Sequence, residues 1–187
     1  NVILNDIDEN LTTEAVTTIN ERKANACFPF AGDAGDVDFI KRMVDETVAR
    51  FGKIDIVIAN AGITLFGDFF TYSPASFSKV LQVNLAGTFF LAQAAANQLR
   101  KQLTGGSLLF TSSVTGHQAH KDLAVYGMTK AALEMLAKNL VIEVSKYKIN
   151  VNTIAPGATL TERTLNDPGY EKIWSELTPM GRPASVD

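Results

Sequence analysis

Apolar positions along the chain alternate between two spacings. Five short, near-continuous apolar runs, at residues 2–4, 26–30, 54–59, 107–110 and 149–154, have the length and character of buried strands. Between them the spacing opens to steps of three and four. Val37, Ile40, Val44, Val48 and Phe51 mark one amphipathic helix, and Gly52 stops it. Ser73-Pro74 starts a second, as an N-cap followed by proline at the first helical position. It runs to about residue 103 and carries Phe77, Val80, Leu81, Asn84 and Leu91. A third begins around Tyr126, runs to about residue 146 and turns Leu133, Leu136, Leu140 and Val144 to one side. Residues 7–19 read as a more polar helix, and residues 158–181 mix polar and aromatic positions.

Strand and helix thus alternate, and the strands are apolar. That pattern predicts an α/β domain on a doubly wound parallel sheet, with helices on both faces to make α/β/α layers. At this length one core and one domain, residues 1–187, are expected. Ligands of such sheets bind beyond the carboxyl ends of the strands. Asp6, Asp33, Asn60 to Gly62, Ser113 and Pro156-Gly157 all fall at such ends, so a single site is expected there.

Composition narrows the partners. A net charge of -3 with scattered basic residues argues against a nucleic-acid surface. No apolar run reaches the ~18 residues that a membrane span needs. The best candidate, residues 85–96, is broken by Gln93 and followed by Asn97. The lone Cys27 excludes an internal disulfide and fits a reducing compartment, so a cytoplasmic protein is expected. His117 and His120 lack a matching set of Asp, Glu or Cys, so no metal site is expected. The chain opens in a strand without an initiator Met and stops where Ser185 has the character of an N-cap. We therefore expect it to be the middle of a longer protein.

The candidate chemistry lies in Thr111 to Lys130, T-S-S-V-T-G-H-Q-A-H-K-D-L-A-V-Y-G-M-T-K. Ser113 stands at a strand end, Tyr126 near a helix start, and Lys130 one turn further on. Residues at i and i+4 share a helix face, which puts the Lys130 ammonium near the Tyr126 phenol. A cation held beside a phenol favours the phenolate, and such a group can exchange a proton with a hydroxyl or carbonyl oxygen. Ser113 can hydrogen-bond the same oxygen.

With these residues the chain resembles the short-chain dehydrogenase/reductase family. The resemblance rests on N-A-G at Asn60 to Gly62, V-N at Val83-Asn84, and S-S-V at Ser112 to Val114. It rests equally on Y-G-M-T-K at Tyr126 to Lys130 and N-T-I-A-P-G-A-T-L-T from Asn152 to Thr161. It covers nearly the whole chain and implies a Rossmann-like fold. It departs at the front, where the family's glycine-rich T-G-x-x-x-G-x-G turn and the central strand before it are absent. The last family strand is absent as well.

The resemblance implies roles residue by residue. Tyr126 is the general acid/base, Lys130 assists it and holds the nicotinamide ribose, and Ser113 orients the substrate oxygen. Asn84 holds a water that links Lys130 to solvent. Asn60, Ala61 and Gly62 line the cofactor cleft, Pro156 and Gly157 border the nicotinamide, and Thr161 reaches its carboxamide. Asp33 contacts the adenine, with Ala34 beside it. A homotetramer or homodimer, paired through the helices from Pro74 and from Tyr126, is also implied.

Asp6, followed by Ile7, ends the first strand, where dinucleotide folds meet the adenosine ribose. A carboxylate there accepts from the ribose hydroxyls and repels a 2′-phosphate, so NAD is expected over NADP. The competing role for Asp6 is to cap the next helix, and Asp33 has the same alternative before Val37. The implied activity is NAD-dependent interconversion of a small secondary alcohol and its ketone. The alternatives are a 3-oxoacyl-thioester (acyl-carrier-protein) reductase and a catalytically silent binding or scaffold protein on the same fold. Phe66, Phe69, Phe70, Tyr170 and Trp174 fall in segments expected to shape the substrate side.

Overall fold

The computed structural model describes residues 1–186. In chain order the elements are β1 (Val2–Leu4), α1 (Glu9–Arg22), β2 (Cys27–Pro29), α2 (Val37–Phe51), β3 (Ile56–Ala59) and α3 (Pro74–Val80). A π-helical segment (Leu81–Gly87) joins α3 to α4 (Thr88–Gln102). Then follow β4 (Gly106–Thr111), α5 (Ala124–Val144), β5 (Ile149–Ile154), α6 (Glu162–Leu165) and α7 (Tyr170–Leu177). Every strand pair is parallel, as apolar strands joined by helical crossovers require. The strands form two blocks, β1-β2 and β3-β4-β5. No strand pair joins the blocks among the described residues.

Register explains the core. Val57 and Ala59 of β3, Leu108 and Phe110 of β4, and Val151 of β5 share one face of the three-stranded block. Onto it pack Ala92, Ala95 and Leu99 of α4 with Ala137 and Val144 of α5. Small residues on α4 let that helix sit close, and each large apolar side chain buried here contributes roughly 1.5–3 kcal/mol. The opposite face carries Ile56, Ile58, Asn150 and Asn152. Ile56 is 65% and Ile58 56% exposed. This corrects the expectation that the third strand is buried on both sides: its apolar run supplies two apolar faces, but among the described residues only one is covered.

Helix α2 starts at Val37 and α3 at Pro74, as expected, while α1 starts at Glu9, slightly later than expected. Asp8, not Asp6, caps α1, its Oδ1 accepting from the amides of Asn10 at 2.8 Å and Leu11 at 3.0 Å. Asp36, not Asp33, caps α2. Both findings leave Asp6 and Asp33 for other work. Ser73 caps α3 as expected. The long helix after it is interrupted: residues 81–87 wind in wider π turns, a feature common at functional sites.

Candidate active site

The carboxyl ends of β3, β4 and β5 open into one cleft of about 230 Å³. Asn60, Gly62 and Thr64 enter it after β3, Ser113 after β4, and Pro156 and Gly157 after β5. Tyr126 and Lys130 reach it from the first two turns of α5. The structure thus brings together the residues expected at these three strand ends, except that Ala61 is exposed and does not line the cleft.

Lys130 is 3% exposed, and its Nζ donates to the Thr111 carbonyl at 2.7 Å. Among the described residues no carboxylate pairs with it. Burial without a counter-charge disfavours the ammonium and lowers the Lys130 pKa from 10.5 to about 8. The ammonium lies 5.4 Å from the centre of the Tyr126 ring, as the i,i+4 spacing predicts. Ser113 accepts from the Thr115 amide at 3.3 Å, which leaves its hydroxyl hydrogen free to donate.

Asn84 sits in the middle of the π segment and is completely buried. Its Oδ1 accepts from the Ile63 amide at 2.8 Å, and its Nδ2 donates to the Ile63 carbonyl at 2.9 Å. A β-carbon on Gly62 would lie 3.4 Å from Asn84 Oδ1 and 3.5 Å from Lys130 Nζ, so the chain at Gly62 runs within contact of both side chains. Asn84 therefore fastens the loop after β3 beside Lys130. Asn84→Ala is expected to cost about 1–3 kcal/mol, because two backbone groups of Ile63 lose their partner. Urea denaturation checks this, and an unchanged midpoint would contradict the fastening role.

Asp6, Ile7, Asp33 and Ala34 lie apart from this cleft, at the ends of β1 and β2. The Asp6 carbonyl accepts from Gly32 at 2.9 Å, and Asn5 Nδ2 donates to the carbonyls of Phe30 at 2.9 Å and Gly32 at 3.0 Å. These bonds hold the two strand ends side by side. Asp6 Oδ1 accepts from the Asp8 amide at 3.0 Å, and its side chain pairs with no cation among the described residues. Asp33 Oδ1 accepts from Gly35 at 2.7 Å, and its Oδ2 lies 3.4 Å from Lys79 Nζ. The Ala34 carbonyl presses on Gly87, where a β-carbon would sit 2.3 Å away. An exposed carboxylate at the end of β1 and a cleft with a buried cation fit the two ends of a nicotinamide dinucleotide.

Thr161 does not line the cleft. It caps α6, accepting from the Thr164 amide at 3.4 Å in a reciprocal capping pair. The aromatic residues of the substrate side meet each other. His120 stacks on Trp174 at 5.6 Å, Phe66 meets the edge of His120 at 6.3 Å, and Tyr170 lies 6.0 Å from Trp174. The loops that carry Phe66 and His120 are therefore joined to each other and to α7. The sequence reading missed Thr64, Ser112 and Glu134. Ser112 was visible only as part of the S-S-V motif, and Glu134 as an acid among the apolar positions of α5.

Fold and cleft define a dinucleotide-binding α/β domain with a tyrosine–lysine centre. A family model described as enoyl-(acyl carrier protein) reductase matches residues 1–187. An uncharacterised oxidoreductase of Thermotoga maritima is 35% identical, over 97% of this chain and 73% of its own length. A gluconate 5-dehydrogenase of Burkholderia cenocepacia, solved with NADP and tartrate, superposes with a TM-score of 0.89 at 29% identity, covering 99% of this chain and 73% of that one. A 7α-hydroxysteroid dehydrogenase, solved with NADH and 7-oxo glycochenodeoxycholic acid, superposes at 0.90 with 26% identity, over 98% of this chain and 72% of that one. The chain spans 58 to 62% of the length of several further curated relatives. The chain belongs to the short-chain dehydrogenase/reductase family of NAD(P)-dependent oxidoreductases. Among the described residues no helix is long and apolar enough to cross a membrane.

Proposed function

We propose that the protein interconverts a small secondary alcohol and its ketone, with NAD as the cofactor and Tyr126 as the general acid/base. The observation that carries this reading is the buried Lys130 beside Tyr126, facing the same cleft as Ser113. Bound nicotinamide supplies the hydride acceptor or donor. In alcohol oxidation Tyr126, as phenolate, takes the hydroxyl proton. In ketone reduction it returns a proton to the carbonyl oxygen. Ser113 donates to that oxygen and fixes its place relative to the phenol. The Lys130 ammonium stabilises the phenolate and is the group on this chain placed to hold the nicotinamide ribose, while Asn60, Gly62, Pro156 and Gly157 form the walls. Asn84 keeps the Gly62-Ile63 loop against Lys130, and we assign it to the path by which the proton leaves.

The choice of NAD rests on Asp6. Its carboxylate is exposed at the end of β1 and pairs with no cation among the described residues, and a carboxylate at that strand end repels a 2′-phosphate. Turnover is therefore expected with NAD in preference to NADP. Asp6→Ala is expected to lower the NAD-over-NADP ratio of kcat/KM by about tenfold, equivalent to ~1.4 kcal/mol of lost discrimination. An intact protein that prefers NADP, or a ratio unmoved by the substitution, would overturn this assignment. The family model's description names a reductase of carrier-protein thioesters, though of enoyl and not 3-oxoacyl ones; the shared thioester class motivates a second reading, a 3-oxoacyl-thioester reductase. A 3-oxoacyl thioester tested beside sugars, polyols and hydroxysteroids separates the two.

A further inference from the structure

Ser113 has to hold a substrate oxygen in register with Tyr126, yet it stands on a short turn and not on a strand or helix. Val114–Gly116 form a single 3₁₀ turn, with Ser113 at its start and His117 at its end. Both flanks of this turn reach the same atom. Glu134, one helical turn beyond Lys130 on α5, presents Oε1 to Ser112 and to His117. Ser112 Oγ donates to it at 2.6 Å, and His117 Nε2 lies 2.9 Å away. A carboxylate oxygen only accepts, so Nε2 carries the hydrogen. Glu134 is 14% exposed, whereas His117 is 58% exposed. The imidazole thus reaches in from the surface to a largely buried acid, and is not the free loop histidine that its sequence position suggests.

Packing leaves the turn little room to shift. A β-carbon on Gly116 would meet the Ala131 amide and Glu134 Oε1, each at 3.1 Å, and one on Gly127 would lie 2.8 Å from the Thr115 carbonyl. The turn therefore rests flush on the stretch of α5 that carries Tyr126 and Lys130. Ser112 Oγ also lies 3.1 Å from the Lys130 carbonyl. Its single hydrogen serves the shorter, charge-assisted contact to Glu134.

We propose that His117 and Glu134 are positioning residues, a clamp that sets the Ser113 hydroxyl relative to Tyr126 and Lys130. The proposal rests on the reading of the cleft as an alcohol/ketone site. Neither residue touches the reacting oxygen. Both act through Ser113, by holding the two ends of its turn to one carboxylate on the catalytic helix. Misplacing an orienting group by a fraction of an ångström lowers the rate without weakening cofactor binding.

The test uses the intact protein and compares His117→Ala, His117→Gln and Glu134→Ala with the parent. His117→Ala is expected to lower kcat about tenfold while the NADH dissociation constant, read by fluorescence titration, stays the same. His117→Gln keeps an N–H donor of similar reach and is expected to recover most of that loss. The double variant His117→Ala with Glu134→Ala should fall less than the product of the singles, because both remove one device. Hydrogen exchange gives a readout independent of turnover. The amides of Gly116 and His117, bonded to Ser113 at 2.9 Å and Val114 at 2.9 Å, should exchange faster in His117→Ala and return to the parent rate in His117→Gln. A His117→Ala variant with parental kcat, or exchange in the turn that does not change, would overturn the clamp. So would a Gln variant as impaired as the Ala variant. If the parent turns over no substrate in the panel, the alcohol/ketone reading fails, and the exchange rates alone decide whether the clamp exists.

Discussion

Tyr126→Phe is expected to lower kcat at least ~100-fold, because the substitution removes one oxygen and with it the general acid/base. NADH affinity should not change. The ring is retained, and Lys130 stays held by the Thr111 carbonyl at 2.7 Å rather than by the phenol. The lost function is confined to proton transfer. Steady-state rates with a fluorescence titration of NADH check both halves, and a variant turning over near the parental rate would remove Tyr126 from the reaction.

Lys130→Met is expected to do two opposite things. Turnover should drop at least ~100-fold, since the phenolate loses its stabilising cation and the cleft loses its ribose ligand. Stability should gain below pH 8. The folded protein holds the Lys130 pKa at about 8, against 10.5 unfolded, so burying the ammonium costs about 3 kcal/mol wherever both states are protonated. The sign follows from the proton count. Between about 8 and 10.5 the unfolded chain binds more protons at this site, so the parent's stability rises with pH across that window. The variant lacks that rise. The lost bond to Thr111 offsets part of its gain. Urea denaturation at pH 7 and at pH 10, on parent and variant, should show the parent gaining relative to Lys130→Met as pH increases. Parallel pH profiles would contradict a buried, uncompensated ammonium.

That cost explains why a single sequence shows its site so plainly. Polar or strand-breaking residues at the ends of apolar strands stand out from their neighbours; Asn60 and Ser113 were legible for the first reason, Pro156 and Gly157 for the second. The Tyr126–Lys130 pair was legible because helical period alone aligns the two. Other features leave no such mark. The π segment around Asn84 has the same apolar steps as an α-helix, so the local pattern does not mark the widening of its turns. Asp6 and Asp8 are equally good caps by composition, and only the path of the chain after β1 selects Asp8. The exposure of Ile56 and Ile58 is a property of what covers the sheet, which their own run does not encode. The Glu134 contacts with Ser112 and His117 join residues that sequence spacing does not relate.

The central claim is that this cleft carries out hydride exchange with a secondary alcohol or its ketone. The most direct measurement follows the NADH absorbance band while the intact protein is offered NAD, then NADP, with a panel of secondary alcohols. The account predicts NADH formation with at least one alcohol, faster with NAD than with NADP, and lost in Tyr126→Phe. Tight NADH binding with no turnover of any alcohol or ketone would contradict it, and would leave a protein that keeps the cleft without the reaction.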